Sequence, residues 1–263
     1  MYNIYLFDQM DTESVKASND DVKASNDDVK AKKLDPIKDS TINVKIDKVL
    51  YGQKDSFYDH PIFNTDSYKV SMSKQYPPGT KTVYSYIEAR KNGKYTHTLY
   101  FGLQAYIKKY LTNVLTRDQH DAAKAIWHKH GYTLPAAWEK LIGEPLPIKI
   151  YSIPEGSVVP ITLPLVAIEN TNPDFYWLTT WIETSILRAI WYPTTVATQS
   201  KSMKNVIKSF YKDNDIKNSN LDIKLHDFGA RGVSSYESSG LGGAAHLINF
   251  SGTDNMAGAI TAC

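Results

Sequence analysis

Residues 221–263, LDIKLHDFGARGVSSYESSGLGGAAHLINFSGTDNMAGAITAC, constrain the fold more than any other stretch. Their pattern predicts a strand, a polar loop, a glycine-broken helix, a second strand at LINF, a second loop and a helix start. An α/β enzyme presents ligand groups in loops at the carboxyl ends of such strands. The groups so delivered here are Phe228, Arg231 and Asp254.

Upstream, helical and extended patterns are segregated rather than alternating. KTVYSYIEAR follows the turn signal Pro77–Gly79 and alternates as a strand, with Val83, Tyr84, Tyr86 and Ile87 at its centre. LYFGLQAYIKKYL changes to a helical period, and TRDQHDAAKAIWHKH predicts a helix capped by Thr116, with His120, His128 and His130 on its exposed side. Residues 145–169 alternate between prolines and predict short antiparallel strands. A long helix is expected from Pro173 until Pro193 interrupts it, with a second from Thr194 to about Tyr211. The glycine run GLGGAAHL lacks the spacing of a nucleotide fingerprint and suits close helix packing and a turn.

The first part of the chain differs in composition. The heptad VKASNDD occurs twice in tandem, at 15–21 and 22–28, with Val as its one large apolar residue, which predicts a disordered or weakly helical extension rather than a coiled coil. STINVKIDKVLYG alternates enough for an edge strand. The resulting organisation is an extension over 1–58, an α+β domain over 59–214 and the start of an α/β domain over 215–263.

Thirty basic and 28 acidic residues give a formal charge of +2, which provides no global attraction to nucleic acid or to an anionic membrane. A single cysteine, Cys263, excludes an intrachain disulfide and a cysteine metal cluster and suits a reducing cytoplasm. No apolar run is long enough to span a membrane, and MYNIYLF leads into Asp8 rather than a cleavage site, so neither insertion nor secretion is expected.

Three blocks carry a family resemblance: TDSYKVSMSKQYPPGTKTVYSYIEAR, NTNPDFYWLTTWIETSILRAIWYPTTVAT, and HDFGARGVSS followed by AHLINFSGTDNMAG. In this order, over roughly residues 60–263, the chain resembles the nicotinamide phosphoribosyltransferases. The resemblance implies a pentosyltransferase that joins nicotinamide to phosphoribosyl pyrophosphate, with Mg²⁺ accompanying the pyrophosphate substrate. The fold it implies is an α+β N-terminal domain followed by the first βα units of an incomplete (β/α) barrel. The family continues well beyond residue 263 and its catalytic histidine lies there. The chain therefore reads as a truncated N-terminal portion, inactive alone and with no catalytic residue or metal ligand of its own. A closed barrel needs about eight strands, and the sequence offers two.

By motif position, Phe228 and Tyr68 match the two rings that sandwich the pyridine, Tyr68 arriving from the neighbouring subunit of a homodimer with a shared site. A sandwich holds a flat ring and favours the pyridinium product over the neutral base. Asp254 matches a position where a carboxylate accepts from the nicotinamide NH₂ and repels the carboxylate of nicotinic acid. Arg231 and Arg90 match phosphate-handling positions, and Asp66 lines the base pocket from the neighbour. His226 and Asp227 flank Phe228 and would shape the pocket. Plainer structural duties compete: Asp66 as a helix cap, Asp254 as an Asx turn or cap before MAGAI, Phe228 as core, Tyr68 as one of 18 tyrosines. Ala230 stands where the family usually has tyrosine, which loosens packing beside Arg231. Two other readings are a non-catalytic remnant or half-enzyme acting as an interaction module, and a nicotinate-specific transferase, against which Asp254 argues.

Overall fold

The computed structural model describes residues 3–5, 55–91, 93–217 and 220–263. The heptad repeat and the alternating stretch after residue 41 lie outside these. Strand β1 (Asn3–Tyr5) runs parallel to β2 (Tyr84–Glu88). Antiparallel pairing then adds β6 (Pro164–Asn170) and β4 (Ile148–Ser152), giving the order β1-β2-β6-β4. β3 (His97–Leu99) and β5 (Val158–Pro160) form a separate antiparallel pair. The short antiparallel strands expected between 145 and 169 are present. In β2 the strand period buries Ser85 and Ile87 and leaves Tyr84 exposed.

Three helices, α1 (Lys69–Met72), α2 (Leu103–Tyr106), which continues as a π-helical turn to Leu111, and α3 (Arg117–Lys129), share one hydrophobic core with the sheet. Thr116 caps α3 as its sequence predicts, in a reciprocal capping box with Gln119. The helix stops at Gly131, whose φ of +79° lets Tyr132 N donate to Trp127 O at 2.9 Å and Gly131 N to His128 O at 3.0 Å. His128 and His130 are exposed, whereas His120 is buried and its Nδ1 donates to Asp121 Oδ1 at 3.0 Å. The sequence expectation for His120 is corrected: the apolar face of α3 turns it inward with Ala123 and Trp127.

The core is aromatic. Trp138 and Trp181 are fully buried with ring centroids 5.3 Å apart, Trp177 lies 5.4 Å from Trp138, and Trp127 lies 5.9 Å from Trp181. These three pairs, and Trp177 with Trp181, meet steeply, the edge-to-face arrangement that aromatic quadrupoles favour. Ile62, Ile87, Leu165, Ile168 and Leu178 complete the same cluster.

Between α4 (Leu178–Trp181) and residue 214 one helix, α5, spans Glu183–Asp213, with Pro193 inside it. The expected break at Pro193 does not occur. Proline cannot donate to the carbonyl of Ala189, and that carbonyl instead faces Gly102, where a Cβ would come within 2.4 Å of Ala189 O and 2.6 Å of Pro193 Cγ. A bare α-carbon with φ of +119° makes room for both. Thr194 and Thr198 hydroxyls accept from the backbone N–H groups of Phe101 and Leu99, tying α5 to the end of β3 and the segment after it. Burial of Ile186, Ile190, Thr194 and Ala197 at intervals of a helical turn supplies the remaining hold.

After α5 the chain turns through Asp215, at φ of +52°. Residues 55–263 belong to one compact unit. Two helices follow, α6 (Tyr236–Leu247) and α7 (Met256–Ala262). The two strands expected in this region are corrected to a 3₁₀ turn at Leu221–Ile223 and a single parallel bridge between Asp227 and Thr253. An apolar run becomes a strand only where neighbours pair with it, and here each segment has the other alone. GLGGAAHL lies within α6, not in a turn before a strand. Its glycines do serve close packing: a Cβ on Gly243 would lie 2.5 Å from Gly258 Cα.

Candidate functional site

Two adjacent loops carry three of the six candidate residues. The Asp227–Thr253 bridge joins them, and Asp254 N donates to Asp227 O at 3.1 Å. Phe228, 66% exposed, precedes the 3₁₀ turn Gly229–Gly232, and Arg231 is exposed in that turn. Asp254 is exposed on the second loop, and its Oδ2 accepts from His226 Nδ1 at 2.9 Å. The imidazole lies against Gly252, where a Cβ would come within 2.3 Å of Nε2. A side chain at 252 would displace the His226 ring from its place beside the carboxylate.

Asp254 does not cap α7. Asn255 does, accepting from Gly258 N at 3.2 Å, while Thr253 Oγ1 accepts from Asn255 N at 3.1 Å. Leu225, one residue before His226, is fixed from below: buried His246 donates from Nε2 to its carbonyl at 3.0 Å, stacks on Phe250 at 4.9 Å, and meets Ser200 Oγ through Nδ1 at 2.8 Å.

Asp66 and Tyr68 form a second group, pinned to the start of α5. Asp66 Oδ2 accepts from the Thr184 hydroxyl, and its backbone carbonyl accepts from Lys69 N. Its side chain makes no helix cap. Buried Lys69 pairs with Glu183, Thr65 Oγ1 donates to Trp181 O at 2.6 Å, and Trp181 Nε1 donates to Pro61 O at 2.8 Å. With its neighbours stapled, Tyr68 projects with 56% of its surface exposed. Among the described residues neither Tyr68 nor Phe228 has an aromatic partner. Arg90 is exposed beyond the end of β2. Within this one chain the structure brings Phe228, Arg231 and Asp254 together and holds Asp66 and Tyr68 elsewhere.

A cleft of about 710 Å³ flanks the Phe228 loop, lined by Tyr106, Tyr110, Arg188, Tyr192 and Tyr236 among others, with Gly232 and Val233 on the loop side. Sequence reasoning missed this cleft because its walls come from segments far apart in the chain. Its charged groups are already engaged: Glu237 accepts from Lys109 at 3.1 Å and from Tyr110 Oη, and Arg188 donates to Asn64 at 2.6 Å. Burial alone would raise the Glu237 carboxyl, but bonds from Tyr110 and Lys109 outweigh it and hold the group below the usual range. Burial, and then the charge of Asp227, push the Tyr192 phenol up. Among the described residues no cluster of three or more His, Cys, Asp or Glu side chains is arranged to hold a metal ion, and no helix is long and apolar enough to cross a membrane.

With this geometry in hand, the similarities to known proteins fall in one class. Residues 61–150 match the "Nicotinamide phosphoribosyltransferase, N-terminal domain" family, and residues 223–262 match the nicotinate phosphoribosyltransferase family. Human nicotinic acid phosphoribosyltransferase shares the fold with a TM-score of 0.53 at 19% identity, over 73% of this chain and 36% of that one. Within the class, the chain is a relative of the nicotinamide phosphoribosyltransferases. It is 44% identical over 211 residues to the nicotinamide phosphoribosyltransferase of Xanthomonas campestris pv. campestris, covering 78% of this chain and 45% of that protein. The counterparts in Acinetobacter baylyi and Mycoplasma genitalium are 29% and 28% identical, over 76% and 73% of this chain and 43% and 48% of their own lengths. The chain thus spans less than half the length of these relatives.

Proposed function

We propose that this chain carries the nicotinamide-binding part of a nicotinamide phosphoribosyltransferase, the pentosyltransferase of NAD salvage that forms nicotinamide mononucleotide and pyrophosphate from nicotinamide and phosphoribosyl pyrophosphate. One observation carries the reading: the Asp227–Thr253 bridge sets an exposed ring, Phe228, and an exposed carboxylate, Asp254, on neighbouring loops. A pyridine carboxamide needs that pair of groups.

In this reading Phe228 supports one face of the pyridine and Tyr68 of a second copy covers the other. As the ring nitrogen attacks the anomeric carbon it becomes cationic, and two aromatic faces interact more favourably with that cation than with the neutral base. Asp254 accepts from the amide NH₂ and repels nicotinate. Arg231 meets the phosphate of the mononucleotide and Arg90 the pyrophosphate-bearing substrate, with Asp66 at the pocket rim. Exposure of Tyr68 on a segment anchored by Lys69 and Thr65 suits a residue that completes a neighbour's site. Mg²⁺ would accompany the pyrophosphate substrate. The two loops and the helices α6 and α7 then correspond to the first βα units of a barrel. Cytoplasmic placement and a homodimer belong to the same proposal, and the near-neutral charge gives no reason to add nucleic acid or membrane.

Saturation-transfer NMR of the chain with nicotinamide and with nicotinate tests the reading. Transfer to nicotinamide that disappears in Phe228→Ala is expected; equal transfer to both pyridines, or none to either, overturns it.

A further inference from the structure

Asp227 sits between two pocket residues, yet both of its carboxylate oxygens are spent inside the protein. Oδ1 accepts from Gly229 N at 2.8 Å and Oδ2 from Asn255 Nδ2 at 2.8 Å. Asn255 is buried and uses its whole side chain: Nδ2 also donates to Ser239 O at 2.9 Å, and Oδ1 accepts from Gly258 N at 3.2 Å and from the Ser239 hydroxyl at 3.0 Å. The network is laid over bare backbone, since a Cβ on Gly243 would lie 2.8 Å from Asn255 Nδ2 and 3.1 Å from Asp227 Oδ2. Asp227 and Asn255 therefore join the turn that begins at Phe228 to the loop that ends at Asp254, and anchor both on α6 and α7.

We infer that Asp227 and Asn255 are positioning residues for pyridine recognition: their hydrogen bond fixes the Phe228 ring relative to the Asp254 carboxylate and so sets the preference for an amide over an acid. This inference rests on the function proposed above. Asn255 is buried and Asp227 turns both carboxylate oxygens to these internal partners, so each acts through its neighbour. A charge-assisted bond between loops holds that spacing more tightly than backbone contacts at exposed positions.

A reciprocal exchange tests it. Asn255→Asp keeps the acceptor for Gly258 N and for the Ser239 hydroxyl but removes the donor to Asp227 and to Ser239 O and opposes two carboxylates. Asp227→Asn keeps an acceptor for Gly229 N and removes the charge. Each single variant is expected to weaken nicotinamide binding about tenfold and lower the nicotinamide-to-nicotinate ratio, and Asp227→Asn with Asn255→Asp together, which restores the bond between the two side chains but not the one to Ser239 O, to recover both in part. Amide hydrogen exchange at Gly229 and Asp254, read without ligand, is expected to quicken about tenfold in the singles and slow again in the double. Should Asn255→Asp not fold, Asp227→Asn alone is read in the same way. Singles that bind and exchange like the unsubstituted chain, or a double no better than the worse single, overturn the inference. If the unsubstituted chain binds neither pyridine the proposed function fails, and with it the selectivity claim, while amide exchange still decides whether the pair joins the loops.

Discussion

His226 Nδ1 lies 2.9 Å from Asp254 Oδ2, which leaves the other carboxylate oxygen of Asp254 to face an incoming donor. Asp254→Asn keeps the size of the side chain and an acceptor for His226 but removes the charge that repels an acid. Competition binding is expected to show nicotinate gaining at least about tenfold against nicotinamide. An unchanged ratio would move selectivity elsewhere.

His60 gives the fold a predictable pH dependence. It is buried beside Trp138, its Nδ1 accepts from Ile62 N at 3.2 Å, and burial lowers its pKa to about 4. Unfolded, it takes a proton near 6.5, so between these values the unfolded chain binds more protons and stability falls as pH falls. The window from pH 6.5 to about 4 is worth about 3 kcal/mol. Urea midpoints read by tryptophan fluorescence should drop across it in the unsubstituted chain and drop less in His60→Gln.

Gly102 meets Ala189 O and Pro193 in a left-handed backbone conformation. Gly102→Ala adds both strain and overlap and should cost about 3 kcal/mol in urea denaturation. Near-neutral stability would mean that α5 does not need this contact to pass through Pro193.

Lys69 is almost wholly buried against Glu183. Glu183→Gln leaves the ammonium without its counter-charge and should cost about 3 kcal/mol, whereas Lys69→Met with Glu183→Leu should cost far less. Because this pair anchors the segment bearing Tyr68, amide exchange at Ser71, whose N–H donates to Tyr68 O, should quicken in the single variant and not in the double.

What the sequence revealed, and what it hid, divides by range. Thr116 and Gln119 are three residues apart, and their capping box is legible in TRDQ. The alternation of KTVYSYIEAR likewise suffices for β2. Continuity through Pro193 was not legible, because the glycine that permits it lies at position 102. His120 was misjudged because its burial depends on what packs against α3. Among candidate site residues, Phe228, Arg231 and Asp254 share a short stretch, and the loops that carry them meet at the Asp227–Thr253 bridge. Asn255 passed unnoticed beside Asp254, although an Asn before the helical run MAGAI is a cap signal. The partner of Asp66, Thr184, sits on another element altogether.

The central claim is that Phe228 of one copy and Tyr68 of another enclose the same pyridine. Nicotinamide-binding stoichiometry of Tyr68→Ala and Phe228→Ala chains, refolded separately and as an equimolar mixture, tests it most directly. In a two-fold symmetric dimer each variant alone has no complete site, and random mixing leaves one intact site in each mixed dimer, about a quarter of all sites. Recovery of that fraction is the expected result; a mixture that binds no more than either variant alone would contradict the account.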